Sequence, residues 1–252
     1  MSKSFAELGL SDEVLQSVNA AGFIAPFPIQ EAVIPLALTG VDIIGQAKTG
    51  TGKTLGFGLP IIDLLSRGDG LPIALVVVPT RELGIQVAEE LTKLSVGKKL
   101  RVTAIYGGRP MEPQIAELKN GVDIVVGTPG RLLDLQRQGA LTLSKIKHLI
   151  LDEADEMLDL GFLPDVEKIF KLTASRNQTM LFSATMPGDV VTLARRFLNQ
   201  PTHIRADVED TGAIVTRIKQ FVYRAHALDK PEMLARILQA KGRGPTMIFC
   251  RT

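Results

Sequence analysis

Apolar positions along the chain follow two alternating patterns. Short runs that are apolar at nearly every position occur at residues 41–44, 73–78, 101–106, 123–126, 148–151 and 179–182. Between them apolar residues recur every three to four positions, as in 81–95, 115–119, 131–138, 162–172 and 189–198. The first pattern predicts strands buried on both faces and the second predicts amphipathic helices. Their alternation predicts an α/β domain, a parallel sheet with helices on both faces. Upstream, Ser11 followed by Asp12, Glu13 and the spaced Val14, Leu15 and Val18 predicts a helix that Gly22 ends, and Pro28 predicts the start of a second running toward Leu38. Ligands of such sheets sit beyond the carboxyl ends of the strands, so chemistry is expected in the residues just after each run.

The first run feeds Ala47-Lys48-Thr49-Gly50-Thr51-Gly52-Lys53-Thr54. Glycines let a loop turn its N–H groups toward phosphate oxygens, and the following helix adds its positive N-terminal end. Lys53 would meet the outer phosphates and the Thr54 hydroxyl a Mg²⁺ ion. The usual pattern opens with Gly, where this chain has Ala47. Upstream, Phe23 and Gln30 supply a ring and an amide, the groups needed to stack on and read an adenine; by periodicity alone they also read as a core residue and a solvated helix position.

The other strand ends carry Pro79-Thr80-Arg81-Glu82-Leu83, Gly107-Gly108-Arg109, Gly127-Thr128-Pro129-Gly130-Arg131, Asp152-Glu153-Ala154-Asp155 and Ser183-Ala184-Thr185. Singly, most of these could be helix caps or turns. The pair Asp152-Glu153 is different, because two carboxylates at the tip of a buried strand are unfavourable without a cation, which Mg²⁺ on a triphosphate would supply. Asp152 would hold the metal and Glu153 would orient and partly deprotonate a water; an acidic helix start is the plainer alternative.

Composition narrows the class. Among 252 residues, 45% are apolar, enough for a sizeable core, and no stretch approaches the roughly 18 apolar residues of a membrane span. The N-terminal residues lack the apolar centre of a signal peptide, so a cytoplasmic location without membrane association is expected. One cysteine, Cys250, excludes an internal disulfide framework, and the three scattered histidines have no metal-ligand spacing. A net charge of +2 provides no global basic field, so any nucleic-acid contact must come from local donors.

Together these stretches resemble the DEAD-box ATP-dependent RNA helicases of bacterial type, whose name Asp152-Glu153-Ala154-Asp155 spells. The Gln30 motif region (4–31), the 47–54 loop with the family's Ala47, and the Thr80, Gly107-Gly108, Thr128 and Ser183 stretches follow in the family's order. The resemblance implies a RecA-like P-loop NTPase domain over 1–207. It implies ATP and Mg²⁺ bound through Phe23, Gln30, residues 47–54, Asp152 and Glu153, with Lys53, Asp152 and Glu153 catalytic and Thr54 and Asp152 on the metal. An RNA backbone would be gripped by Pro79, Thr80, Arg81, Gly107, Gly108, Thr128, Pro129, Gly130 and Arg131, with little sequence specificity. Asp155, Ser183 and Thr185 would couple nucleotide state to RNA binding. Gly84 stands where most relatives have alanine.

After a linker at 208–216, residues 217–252 resemble the start of the family's second RecA-like lobe, with a strand at 217–223, a helix at 229–240 and a strand at 246–250. An incomplete lobe is expected to dock elsewhere, be mobile or exchange with a second chain as a dimer. The chain alone is expected to bind ATP, hydrolyse it slowly and leave duplexes intact. The whole protein would unwind RNA locally, with protein partners in RNA decay or ribosome assembly. A non-catalytic, nucleotide-responsive RNA-binding module and a DNA-directed helicase are the competing readings, since phosphate contacts do not tell RNA from DNA.

Overall fold

The computed structural model describes residues 3–66, 68, 70–206, 221–242 and 244–250. Seven strands, Ile43–Gln46 (β1), Ala74–Val77 (β2), Val102–Ile105 (β3), Ile124–Gly127 (β4), His148–Leu151 (β5), Gln178–Ser183 (β6) and Thr202–Arg205 (β7), form one sheet. Its order is β3-β4-β2-β5-β6-β1-β7, and every neighbouring pair is parallel. Side chains alternate across the sheet, so that in β2 Ala74 and Val76 enter one core while Leu75 and Val77 enter the other. The first core is covered by Asp12–Ala20 (α1), Pro28–Leu38 (α2), Lys53–Leu64 (α3) and Arg81–Leu94 (α4). The second lies under Met111–Lys119 (α5), Pro129–Arg137 (α6), Ala154–Asp159 (α7), Leu163–Leu172 (α8) and Gly188–Phe197 (α9).

Two features of the sheet depart from the apolar pattern. β1 begins two residues after the start of its run, because Asp42 is buried there and accepts the N–H groups of Thr179 and Asn199, each at 2.6 Å. Within β1, Gly45 lies beneath the Phe182 ring, where a Cβ would come within 2.4 Å of a ring carbon. β7 has no apolar run at all: Thr202, His203 and Arg205 are exposed on an edge strand that pairs with β1. An edge strand needs backbone partners more than apolar side chains.

The chain divides into two compact units, Met1–Val208 and Glu209–Thr252. In the second, a 3₁₀ turn at Ala227–Asp229 leads into Lys230–Leu238 (α10), which buries none of its residues. The strands expected around it are absent among the described residues: 221–223 and 246–250 belong to no strand. A parallel strand forms only against a neighbour that takes its N–H and C=O groups, and these two segments lie in no shared ladder. Residues 217–220 and the linker expected at 208–216 lie outside the described residues.

Candidate functional site

The loop between β1 and α3 is held from both sides. Buried Ala47 donates its N–H to the Ser183 carbonyl at the end of β6 (3.1 Å). Gly50 and Gly52 have φ of 81° and 80°, the left-handed region that glycine enters without cost, and Gly52 caps α3. The Thr51 hydroxyl donates to the Lys48 carbonyl (2.7 Å), while Lys48, Thr49 and Gly50 are exposed. Lys53 is buried, and its Nζ donates to the Ala47 carbonyl at 3.1 Å, so the ammonium is folded back over the loop.

Gln30 proves to be buried at 1% exposure rather than solvated. Its Oε1 accepts the Phe27 N–H (2.8 Å) and its Nε2 donates to the Gly52 carbonyl (2.9 Å), which ties the start of α2 to the loop. Phe23 packs half-buried against the core and lines a cleft of about 680 Å³ between α1 and α4. Glu90 lines the same cleft; burial raises its carboxyl pKa, and the Thr54 hydroxyl beside it opposes that shift.

The acidic pair comes from the end of β5. Asp152 is 2% exposed, and its carboxyl is pushed up to about 6, chiefly because burial disfavours its charge; the Lys53 ammonium pulls it down, and Glu153 adds to the rise. Glu153 adopts φ 54°, a left-handed conformation uncommon for a side chain of this size. The Thr49 hydroxyl donates to Glu153 Oε1 at 3.4 Å, so the glycine loop and the acids, about a hundred residues apart in sequence, meet at one place. Asp155 lies one turn further on. Burial works to raise its carboxyl, but the Thr185 and Ser183 hydroxyls and the Thr185 N–H hold it below its ordinary value. Thr185 donates to Asp155 Oδ2 from both N (2.8 Å) and Oγ1 (2.7 Å), and Ser183 Oγ accepts the Asp155 N–H (3.2 Å).

The remaining predicted residues gather at the ends of β2, β3 and β4. Pro79 is buried, and Thr80 caps α4 by accepting the Leu83 N–H (3.3 Å). Arg81 is exposed and pairs with Glu82. Gly107 and Gly108 are exposed, with Gly108 at φ 79°, and Arg81 Nη1 lies 3.5 Å from where a Cβ on Gly108 would stand. Thr128 precedes α6 but makes no side-chain cap; Pro129 fills the first helical position and Gly130 follows half-buried. Arg131 donates from Nη1 to the Arg109 carbonyl at 2.9 Å. Arg109 itself, not among the predicted contacts, faces Glu117 at 2.8 Å; its position directly after Gly107-Gly108 was the available signal. Gly84 has a packing reason: a Cβ there would sit 3.3 Å from Val78 Cγ2.

A model of the DEAD/DEAH box helicases matches residues 27–193. The chain is 46% identical over 248 residues to a Listeria monocytogenes protein named ATP-dependent RNA helicase CshA, covering 98% of this chain and 47% of that protein. It is 43% identical over 249 residues to DEAD-box ATP-dependent RNA helicase CshA of Geobacillus kaustophilus, covering 99% of this chain and 53% of the relative. It thus spans about half the length of the curated relatives it matches. Among solved structures, a DEAD box protein from the hyperthermophile Methanococcus jannaschii superposes with a TM-score of 0.78 at 42% identity, covering 95% of this chain and 64% of that one.

Proposed function

The chain belongs to the DEAD/DEAH box helicase family, and on that footing we propose that residues 1–207 form the ATP-binding lobe of an ATP-dependent RNA helicase. Residues 217–252 are read as part of a second RecA-like lobe, joined through 208–216. The observation that supports this most is the meeting of the glycine loop with the acids, Thr49 on Glu153 and Lys53 beside Asp152. Lys53 binds the outer phosphates, Gln30 and Phe23 face the adenine, and Glu153 orients the attacking water and accepts its proton. Mg²⁺ fits the donor set, since Asp152 is a buried carboxylate whose charge is disfavoured without a cation, and Thr54 supplies a hydroxyl directly after Lys53 in the first turn of α3. When bound it would be held by Asp152 and Thr54 and would neutralise phosphate charge.

The backbone of a single RNA strand is gripped by Thr80, Arg81, Gly107-Gly108, Thr128, Gly130 and Arg131, which offer hydroxyls, backbone N–H groups and guanidinium forks but no base-reading set. Asp155, Ser183 and Thr185 link that grip to the nucleotide. Among the described residues no helix is long and apolar enough to cross a membrane. The lone Cys250 suits a reducing cytoplasm, which is part of this reading.

Binding of a fluorescent ATP analogue with and without Mg²⁺ tests the nucleotide half. Lys53→Ala should weaken it at least about tenfold, whereas Glu153→Gln should keep binding and slow hydrolysis. Equal affinity in Lys53→Ala and parent would overturn the assignment. In a protein carrying both lobes complete, matched RNA and DNA oligomers as stimulants of ATP hydrolysis separate the two polymers.

A further inference from the structure

The sheet ends at β3, and the turn leaving it carries two side chains that the proposed site does not use. Tyr106 is half-buried. Arg109 is held in place by Glu117, whose other carboxylate oxygen accepts the Thr103 hydroxyl, so the anion on α5 is fixed before the arginine reaches it. Glu117, and to a lesser degree the Tyr106 phenol beside it, stabilise the charged guanidinium. A guanidinium has five N–H donors in a planar fork, and one carboxylate contact leaves donors for a second anion.

This turn gathers further positive charge. Arg131 donates to the Arg109 carbonyl, and Arg81 Nη1 reaches the surface of Gly108. Three arginines from three strand ends therefore surround Gly107-Gly108. Outward from them runs an open groove of about 360 Å³ between α4 and the edge strand β3. Ile85, Ala88 and Ala104 give it an apolar floor, Tyr106 and Arg109 stand at the end nearest the turn, and Lys93 stands along α4. Glu89 on the same wall offsets Lys93 in part, so the groove offers a ring and a guanidinium rather than a strong net charge.

We propose that this groove is an additional single-stranded nucleotide subsite, in which one base outside the gripped stretch stacks on Tyr106 and its phosphate meets Arg109. The inference rests on the RNA-binding reading of the adjoining turn and extends the strand's path over the sheet edge. A base has an apolar face for the floor and a π-face for the ring, and stacking of this kind tolerates any sequence. An extended peptide would also find an edge strand here, but the arginines around the turn favour a polyanion.

The chain has no tryptophan and two tyrosines, Tyr106 and Tyr223, so Tyr223→Phe leaves Tyr106 as the sole phenol reporter. Uridine oligomers of about six and about ten nucleotides carrying 5-iodouridine are titrated into that variant with a non-hydrolysable ATP analogue. Binding is read by anisotropy, Tyr106 by its emission and by mapping photo-adducts. The longer oligomer should quench Tyr106 and crosslink to it. Tyr106→Leu should weaken the longer oligomer by roughly 5- to 140-fold, the range of one stacked base, and Arg109→Met should weaken it as well. Tyr106→Phe should restore binding, and the shorter oligomer should be little changed. If both oligomers bind saturably and salt-dependently while Tyr106 emission and both affinities stay within about twofold of parent, the subsite is wrong and the RNA grip stands. If neither oligomer binds, the RNA reading falls and the subsite with it.

Discussion

Gln30 is where the structure turns a motif residue into an energetic quantity. Its amide spends one acceptor on the Phe27 N–H and one donor on the Gly52 carbonyl, both in a buried position. One N–H and one lone pair remain, which is what an adenine edge needs. Gln30→Ala removes both bonds. The Gly52 carbonyl keeps its intrahelical donor, the Gly56 N–H at 3.3 Å, and Phe27 is 53% exposed, so water can reach its orphaned N–H. The loss is therefore the net value of two hydrogen bonds, about 2 kcal/mol, without a large desolvation term. Gln30→Glu keeps the shape and the Phe27 bond but turns a second oxygen toward the Gly52 carbonyl, and a buried, partly unpaired carboxylate should cost at least as much. Urea unfolding followed by far-UV circular dichroism measures both without nucleotide. Repeating it with ATP or GTP converts affinity into a stability increment through ligand linkage. We expect about 2 kcal/mol lost in each unliganded variant and a collapsed difference between the two nucleotides. A loss under about 0.5 kcal/mol in Gln30→Ala, within the range of ordinary surface substitutions, would refute the bridge, and unchanged nucleotide preference would remove Gln30 from adenine reading.

Two further outcomes follow from neighbouring geometry. Gly50 and Gly52 share a left-handed backbone, yet a Cβ on Gly50 meets nothing within 4 Å while one on Gly52 would lie 2.3 Å from Gln30 Nε2; each alanine should cost about 1–2 kcal/mol for its backbone, Gly52→Ala should cost more, and equal urea midpoints would show that the Gln30 contact carries no weight. At the other end of the sheet, burial lowers the His148 pKa and the Gln178 oxygen (3.0 Å from Nδ1) opposes that shift. Both N–H groups of Gln178 are spent on the Ala37 and Val41 carbonyls, so Nδ1 carries the proton. The unfolded chain then binds the extra proton first. Stability from this group is full above about pH 6.5 and is lost as pH falls toward the lower folded value. Asp152, raised to about 6, acts in the opposite direction, so the quantity to measure is the difference between parent and His148→Asn, whose amide can keep the bond. Parallel stability curves from pH 8 to pH 5 would rule the titration out.

How far the sequence could be read depended on whether a signal was local. The bounds of α2 and the phosphate loop were legible because proline and glycine act on their own few residues, whereas Ser11 marks the start of α1 without capping it, its hydroxyl bonding Asp63 instead. Gln30 misled periodicity because what buries it, the Gly52 carbonyl, lies 22 residues away. β7 was invisible because Thr202, His203 and Arg205 are polar, and only pairing with β1 makes them a strand. Arg109 was placed at a candidate strand end but given no role, because Glu117 looks like any exposed acid on α5 until the turn folds it against the arginine. In the second unit the apolar runs were legible as strand formers, but propensity cannot supply the neighbour a strand requires, and α10 stands with no residue buried.

Strand order explains why one sheet can present two chemistries. The loop and the acids proposed for the nucleotide follow β1 and β5, the linking residues Ser183 and Thr185 lie at the end of β6, and those proposed for the RNA follow β2, β3 and β4. The sheet sorts these into two contiguous halves, β3-β4-β2 and β5-β6-β1, although the chain visits them in mixed sequence. The halves meet where β2 pairs with β5, Val77 opposite Leu151, and there the Asp152 N–H donates to the Val77 carbonyl at 2.9 Å. The backbone of the buried acid is thus pinned to the strand that leads through Val78 and Pro79 into Thr80 and Arg81, and the Val78 N–H is in turn bonded to the Gly127 carbonyl just before Thr128. A shift of the acidic loop on binding nucleotide would have to break that bond or carry the end of β2 with it. Hydrogen exchange at the Asp152 and Val78 amides, with and without an ATP analogue, distinguishes the two: protection retained at both means the strand ends move as one body, and loss at Asp152 alone means that the nucleotide half moves without the RNA half.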